Sequence, residues 1–393
     1  MATLTRKNTY FAVATEVTQG TIVDPTSSDF ILIDEDFEVE TSYEEIERAV
    51  LTGGLDPLAP ILGMKDGTGS VTIELKGSGT AHTAPECDKL LRACAATPTD
   101  ALSGGNSTVN TGYDAYSFDM TGTPGFAIGD TLSVGINGGA AEYAVVTNVT
   151  GTTTQFIQVE PAFSGTPQSA DVVISGITYK QQTSGQDSVS VHFFLDCEGQ
   201  DGLWIKLGGV RPNLTLTNVS TGQIPKMQFS FTPTTWEVQS TGSNLTTLGL
   251  TPSLDTDTVP PVCLGATISL GDARTSIHTQ NLELDWGLEV TKRMSMIPSG
   301  GVRSSRFTRR VVNGTFDLDL EDDTEYTNWE AQTDSLLLVK FGDTAGNIPV
   351  MIIPDLRRTG ANPTDSDGLW TYSIPWTANP RSTTLGPIVL AFF

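Results

Sequence analysis

"GSVTIELKGSGTAHTAPECDKLL", residues 69–91, sets how the chain is read. Val71, Ile73 and Leu75 alternate with polar residues, the period of a strand with one buried face. Gly77-Ser78-Gly79 ends that pattern. A helix over residues 83–95 is then expected. Thr83-x-x-Glu86 has the form of a capping box, and Pro85 falls in the first turn, where a missing N–H matters little. Cys87, Leu90, Leu91 and Cys94 follow at i, i+3, i+4 and i+7, one apolar stripe. A strand, a glycine turn and a helix also outline a phosphate-cradling loop, but the detail is absent. A P-loop needs Gly-Lys-[Ser/Thr] at the helix start, and here the chain enters through His82-Thr83-Ala84-Pro85. The glycine turn therefore reads as architecture.

The same pattern returns in "GTFDLDLEDDTEYTNWEAQ", residues 314–332, where Phe316, Leu318 and Leu320 precede a helical stretch at 324–333. Further matches keep the same order. "FEVETSYEEI" (37–46) resembles "LEVTKRMSMI" (288–297), "WIKLGGVR" (204–211) parallels "VMIIPDLRR" (350–358), and "PKMQFSFTPTTW" parallels "GLWTYSIPWTAN". Shared order is the mark of a duplicated module. The expected fold class is mainly β: two tandem β-sandwich modules, each with a flanking helix. Residues 1–99 with 179–238 make the first, and 262–393 the second. Residues 118–178, short strands between Gly/Thr turns, read as an inserted small β barrel, separable and peripheral. The Ser/Thr/Pro-rich stretch 239–261 reads as a linker. Long loops are expected at 41–68 and 292–313, and "AVLTGGLDPLAPILG" (49–63) is apolar enough for an interface.

Four parts of the chain carry a resemblance to a known family. They are "ELKGSGTAHTAPECDKLLRACA", "GQIPKMQFSFT", "NGTFDLDLEDDTEYTNWEAQT" and the closing "GPIVLAFF". The chain resembles the major tail, or tail tube, proteins of long-tailed bacteriophages. The resemblance implies a structural virion protein whose rings stack into a hollow tube, the conduit for DNA ejection. Three chains with two fused copies each would make a ring of six tube folds. Implied partners are other copies of the chain, a tape measure protein and tail-end proteins, with DNA passing through the lumen without specific binding. Assembly would take place in the host bacterial cytoplasm. The inserted barrel looks like an outward-facing decoration and departs from the minimal pattern. Alternatives are a ring protein at the tube end, or a tail-associated protein that binds or hydrolyses glycans.

The 393 residues hold 22 basic and 46 acidic side chains, a net charge of −24. Such a balance opposes gripping nucleic acid and docking on anionic membranes. The start of the sequence has no apolar signal-peptide core. Cys87, Cys94, Cys197 and Cys263 lack metal-ligand spacing and read as reduced, buried thiols. Six Asn-x-Ser/Thr sites read as chance in a Thr-rich chain.

The best candidate for chemistry is Asp317, Asp319, Glu321, Asp322 and Asp323. It lacks the glycine and distal glutamate of an EF-hand. Its strand carboxylates share one face rather than facing each other across a cleft, as a glycosidase pair must. A solvated strand face is the plainer reading. His82, His192 and His278 are too scattered for a metal site or triad. Trp204, Trp236 and Trp370 could stack on sugar, but their strand settings favour core packing. No catalytic, cofactor or metal residue is expected. The acidic face is expected to line a lumen, with Asp317, Asp319 and Glu321 contributing.

Overall fold

A computed structural model describes every residue except 1–4, 52–55, 57, 95, 123, 152–153, 184–185, 299, 321, 367 and 383, and the side chains of 96, 97, 121 and 366. The chain is mainly β. β1 (Thr9–Thr15), β2 (Phe30–Ile31), β3 (Glu38–Ile46) and β4 (Ile61–Glu74) lead to α1 (Asp88–Ala93) and β5 (Ala96–Thr99). Six strands follow: β6 (Asn106–Asp114), β7 (Ser117–Thr121), β8 (Thr131–Gly135), β9 (Ala141–Thr150), β10 (Thr154–Glu160) and β11 (Val172–Ser175). The chain returns through β12 (Ile177–Gln181), β13 (Val189–Leu195), β14 (Leu203–Val210), β15 (Asn213–Thr217), β16 (Lys226–Phe231), β17 (Thr235–Gln239) and α2 (Leu245–Leu248). Then come β18 (Thr267–Leu270), β19 (Thr275–Ser276), β20 (Thr279–Asp285), β21 (Leu288–Met294), β22 (Val302–Arg310) and β23 (Asn313–Asp319). The last elements are α3 (Thr324–Glu330), β24 (Asp334–Lys340), β25 (Pro349–Arg358), β26 (Asn362–Ser366), β27 (Leu369–Asn379) and β28 (Val389–Phe392).

Strand order repeats between the two halves. One layer runs β2-β1-β13-β14-β17 in the N-terminal half and β19-β18-β24-β25-β28 in the C-terminal half. The facing layer runs β3-β4-β16-β15 and then β20-β23-β27-β26. The register repeats as well. Val39 pairs with Gly69 and Gly69 with Phe231; Leu284 pairs with Gly314 and Gly314 with Trp376. A Cβ on Gly69 would sit 2.4 Å from the Phe231 ring, and one on Gly314 would sit 2.5 Å from the Trp376 ring. Each glycine thus lets a neighbouring aromatic lie flat across its strand. The two halves share one apolar core, with Val71, Phe229 and Phe193 in the same cluster as Leu282, Phe316 and Val339.

α1 is shorter than 83–95. Its stripe is as expected, since Cys87, Leu90, Leu91 and Cys94 are buried. The capping box does not form. The Glu86 carboxylate instead accepts the Leu32 and Asp255 N–H groups, both at 3.1 Å. Burial raises its pKa. Two backbone donors from distant segments outcompete the helix's own first turn. The glycine turn is a close approach between halves. Gly77 N donates to Asn347 Oδ1 at 2.8 Å and Gly79 N to the Gly346 carbonyl at 3.1 Å, and a Cβ on Gly77 would meet that carbonyl at 2.2 Å.

The structure departs from expectation in four places. The described residues of the loops expected at 41–68 and 292–313 are mostly strand: β3 and β4 form one arm, β21 and β22 another. The closed barrel runs β10-β7-β6-β11-β8-β9, so it begins at Asn106 rather than 118 and ends at Ser175. β12, which straddles the boundary expected between 178 and 179, pairs wholly with β28 and β5 in the large sheet. Nor is the barrel free of the wall. Tyr143 and Val145 of β9 pack with Leu336, Leu338, Ile348, Val350, Val389 and Phe393 in a buried cluster. Arg274 donates to the Tyr143 carbonyl at 2.8 Å, and Arg381 pairs with Glu160. Residues 239–261 are likewise packed rather than merely connecting. Leu245, Leu248, Leu250 and Leu254 lie over Phe30, Phe194 and Trp204. The outer sheet of each half therefore has a cover: this segment over the first, the barrel over the second.

Candidate functional site

β15 and β20 pair with each other, Thr215 opposite Asp285 and Leu216 opposite Leu284. That seam fuses the two facing layers into one sheet, β3-β4-β16-β15-β20-β23-β27-β26. Strand alternation sends Val71, Ile73, Met227, Phe229, Leu214, Leu216, Leu282, Leu284, Phe316 and Leu318 into the core. Cross-strand partners of the opposite parity share the other face. One row reads Thr72, Gln228, Thr215, Asp285, Asn313 and Thr377. Glu38, Glu40, Glu74, Glu283, Asp317 and Asp319 stand on the same face, by register with Ser70, Thr68, Lys226, Thr315, Ser373 and Thr371. Lys226 is the basic residue among these ladder positions, and its ammonium is taken up by Asp34, whose carboxyl it holds below the usual range.

Asp317 and Asp319 thus fall on this face, while Glu321 lies outside the described residues. Asp322 turns away to accept the Thr324 N–H at 2.9 Å at the start of α3. The described carboxylates of the sequence cluster do not converge. Sequence reading missed Glu38, Glu40, Glu74, Glu283 and Asp285. Their signal was present, because each neighbours an apolar residue in or against the core, as Asp317 does.

The arms are the second exposed feature. Ile46, Val50, Leu51, Ile61 and Leu62 on the first arm, and Met294, Met296 and Ile297 on the second, are exposed apolar side chains. Residues 52–55 and 57 of the apolar 49–63 stretch lie outside the described residues. The second arm lies across the N-terminal half. Ser305 Oγ donates to the Gly209 carbonyl at 3.1 Å, Gln19 donates to the Ser305 carbonyl at 3.0 Å, and Lys292 pairs with Asp66 at 2.7 Å.

Of the three histidines, His192 serves structure. His192 is fully buried; its Nδ1 accepts from Trp204 Nε1 at 3.2 Å and its Nε2–H donates to the Val23 carbonyl at 2.9 Å. Burial first, then the Lys206 charge, push its pKa down to about 4. A histidine with a depressed folded pKa favours folding when neutral, so stability falls as pH drops from about 6.5 toward 4. Wild type is expected to lose roughly 3 kcal/mol over that window from this group, and His192→Gln to lack that component. Thermal unfolding of both proteins across pH 4–7 checks it; identical pH profiles would contradict the assignment. Trp204 is buried and Trp236 half-buried, donating Nε1–H to the Asp66 carbonyl at 2.9 Å. Trp370, expected in a core, is 64% exposed. Among the described residues no group of three or more His, Cys, Asp or Glu is placed to hold a metal ion.

A family model for phage tail tube proteins matches residues 7–378, nearly the whole chain. The chain belongs to the phage tail tube protein family. A search of curated proteins finds no match. A tail tube protein is a structural component of the bacteriophage virion, and the features above suit that role: a continuous sheet, an acidic face and two projecting arms. No helix among the described residues is long and apolar enough to cross a membrane.

Proposed function

We propose that three copies close head to tail into a ring of six modules, bounded as 1–99 with 179–238 and 262–393, and that rings stack into the tube through which DNA leaves. The observation that carries this is the β15–β20 seam. It joins the last strand of one facing layer to the first strand of the next. The same two kinds of edge remain open at the ends of the chain's sheet, β26 and β3. By the repeated register Asn362 and Pro363 stand where Thr215 and Leu216 stand, and Glu40 and Val39 where Asp285 and Leu284 stand. A rotation that carries one module onto the next therefore brings β26 of one copy to β3 of the following copy. A head-to-tail contact that closes by rotation gives a ring, and pairing covers edges that would otherwise invite aggregation.

Closure turns the polar face into an inner wall. A duplex that must slide cannot make many cationic contacts, because each adds affinity through counterion release. Carboxylates on the wall repel phosphates within a screening length of about 8 Å at physiological salt. A tape measure protein and tail-end proteins would set the tube's length and ends. Negative-stain microscopy of the purified protein should show open tubes built of three-chain rings. A chain that stays single at high concentration in moderate salt would sink the reading.

A further inference from the structure

Leu369 and Trp370 open β27 beside the unpaired edge of β26, and are 69% and 64% exposed. The corresponding part of the N-terminal module is the turn from β15 to β16, where Ile224 and Pro225 stand in register with Leu369 and Trp370 and are half-buried and buried. Val219 of that turn is buried in the core. The turn's backbone is tied to the C-terminal module: Thr221 N donates to the Gln280 carbonyl at 3.2 Å, and Cys263 N to the Gln223 carbonyl at 2.8 Å. The pocket at this joint has Cys263, Ala266, Leu282 and Phe341 on one side and Val219 on the other.

The repeated register maps those walls onto the N-terminal module. Leu282 corresponds to Phe37, Phe341 to Leu195, Ala266 to Thr9 and Cys263 to Arg6. Arg6, Thr9, Phe37 and Leu195 do line one cavity, of about 590 Å³, beside the open edge of β3. Its walls come from the N-terminal module alone. The Arg6 guanidinium lies 4.9 Å from the centre of the Phe37 ring.

We propose that Trp370 of one copy docks in this cavity on the next copy. The proposal rests on the ring reading and adds the anchor that holds its seams. An indole brings large apolar area with few rotatable bonds, and Arg6 can stack on it as it does on Phe37. Pro363 gives the anchor its purpose. It replaces Leu216 in the strand that must pair across copies, and a proline has no N–H to give to a ladder. The seam between copies therefore has fewer donors than the seam within a copy, and side chains beyond the ladder carry more of it.

Trp370→Ala should fold as a single copy with unchanged circular dichroism, because the side chain is exposed. It should raise the concentration needed for ring formation by about tenfold or more, as truncation of a central aromatic anchor does. Oxidation of a Thr9→Cys, Trp370→Cys double variant should give covalent dimers and trimers, while each single variant gives none. If Trp370→Ala assembles at the wild-type concentration, or rings of the double variant do not cross-link, the docking is wrong and the ring stands. If wild type forms no rings, the ring reading and the docking fall together.

Discussion

Excising the barrel, residues 106–175, behind a short glycine-serine bridge is expected to give an insoluble chain rather than a trimmed subunit. Sequence alone suggests the opposite, since the insert has its own strands and core. The outer face of the C-terminal module decides the matter. Leu336, Leu338, Ile348, Val350 and Val389 are buried against Tyr143 and Val145 of the barrel. Wetting several aliphatic side chains costs about 1.5–3 kcal/mol for each one fully uncovered. A domain is held folded by only about 5–15 kcal/mol. The exposed patch would also be contiguous, which favours aggregation. Soluble yield and dye binding to apolar surface measure the outcome. A soluble deletion variant with the wild-type thermal midpoint would show that the barrel is dispensable to this face. A milder test keeps the barrel and changes Tyr143 and Val145 to serine, with a loss of several kcal/mol expected.

Replacing Glu283, Asp317 and Asp319 with lysine is expected to convert tubes that ignore DNA into tubes that retain it. The three carboxylates share one face across β20 and β23. Each lysine that contacts a phosphate steepens the dependence of log affinity on log salt by about 0.9. One subunit engaging all three therefore adds a slope of roughly −3, and successive rings add to it. Binding of duplex DNA to assembled tubes, followed across salt and with nuclease protection, separates inside from outside. DNA held by the reversed tubes should be protected. Reversed tubes that assemble yet hold no protected DNA would show that this face does not line the lumen, while leaving the family assignment untouched.

Alternation made much of this fold legible. Val71, Ile73 and Leu75, and again Phe316, Leu318 and Leu320, mark both the strands and their inner face, and the order of matched segments anticipates the repeated strand order. The arms look like loops in sequence because "ETSYEEI" is largely exposed on both sides, so burial leaves no period in it. The covers were half legible. "SLLLV" in β24 and "VMII" in β25 are apolar on both faces, which says that a second layer lies outside them. Nothing in those residues says that the layer is a barrel inserted more than one hundred residues upstream. Glu86 shows the limit of local rules, because its partners at Leu32 and Asp255 are remote in sequence. Trp370 shows another limit. Composition cannot distinguish a tryptophan packed inside its own chain from one at an open sheet end.

The seam between β15 and β20 also changes the kinetics of the proposed assembly. It forms as the chain folds, so its two partners meet at the effective concentration set by the connecting polypeptide rather than by the number of chains in solution. Six separate modules would have to find one another by five bimolecular encounters before the ring closed, each giving up about 4–15 kcal/mol of translational and rotational freedom. Three fused chains need two. The first ring, the rarest event in growth of a tube, is thereby reached from a far more dilute pool of subunits.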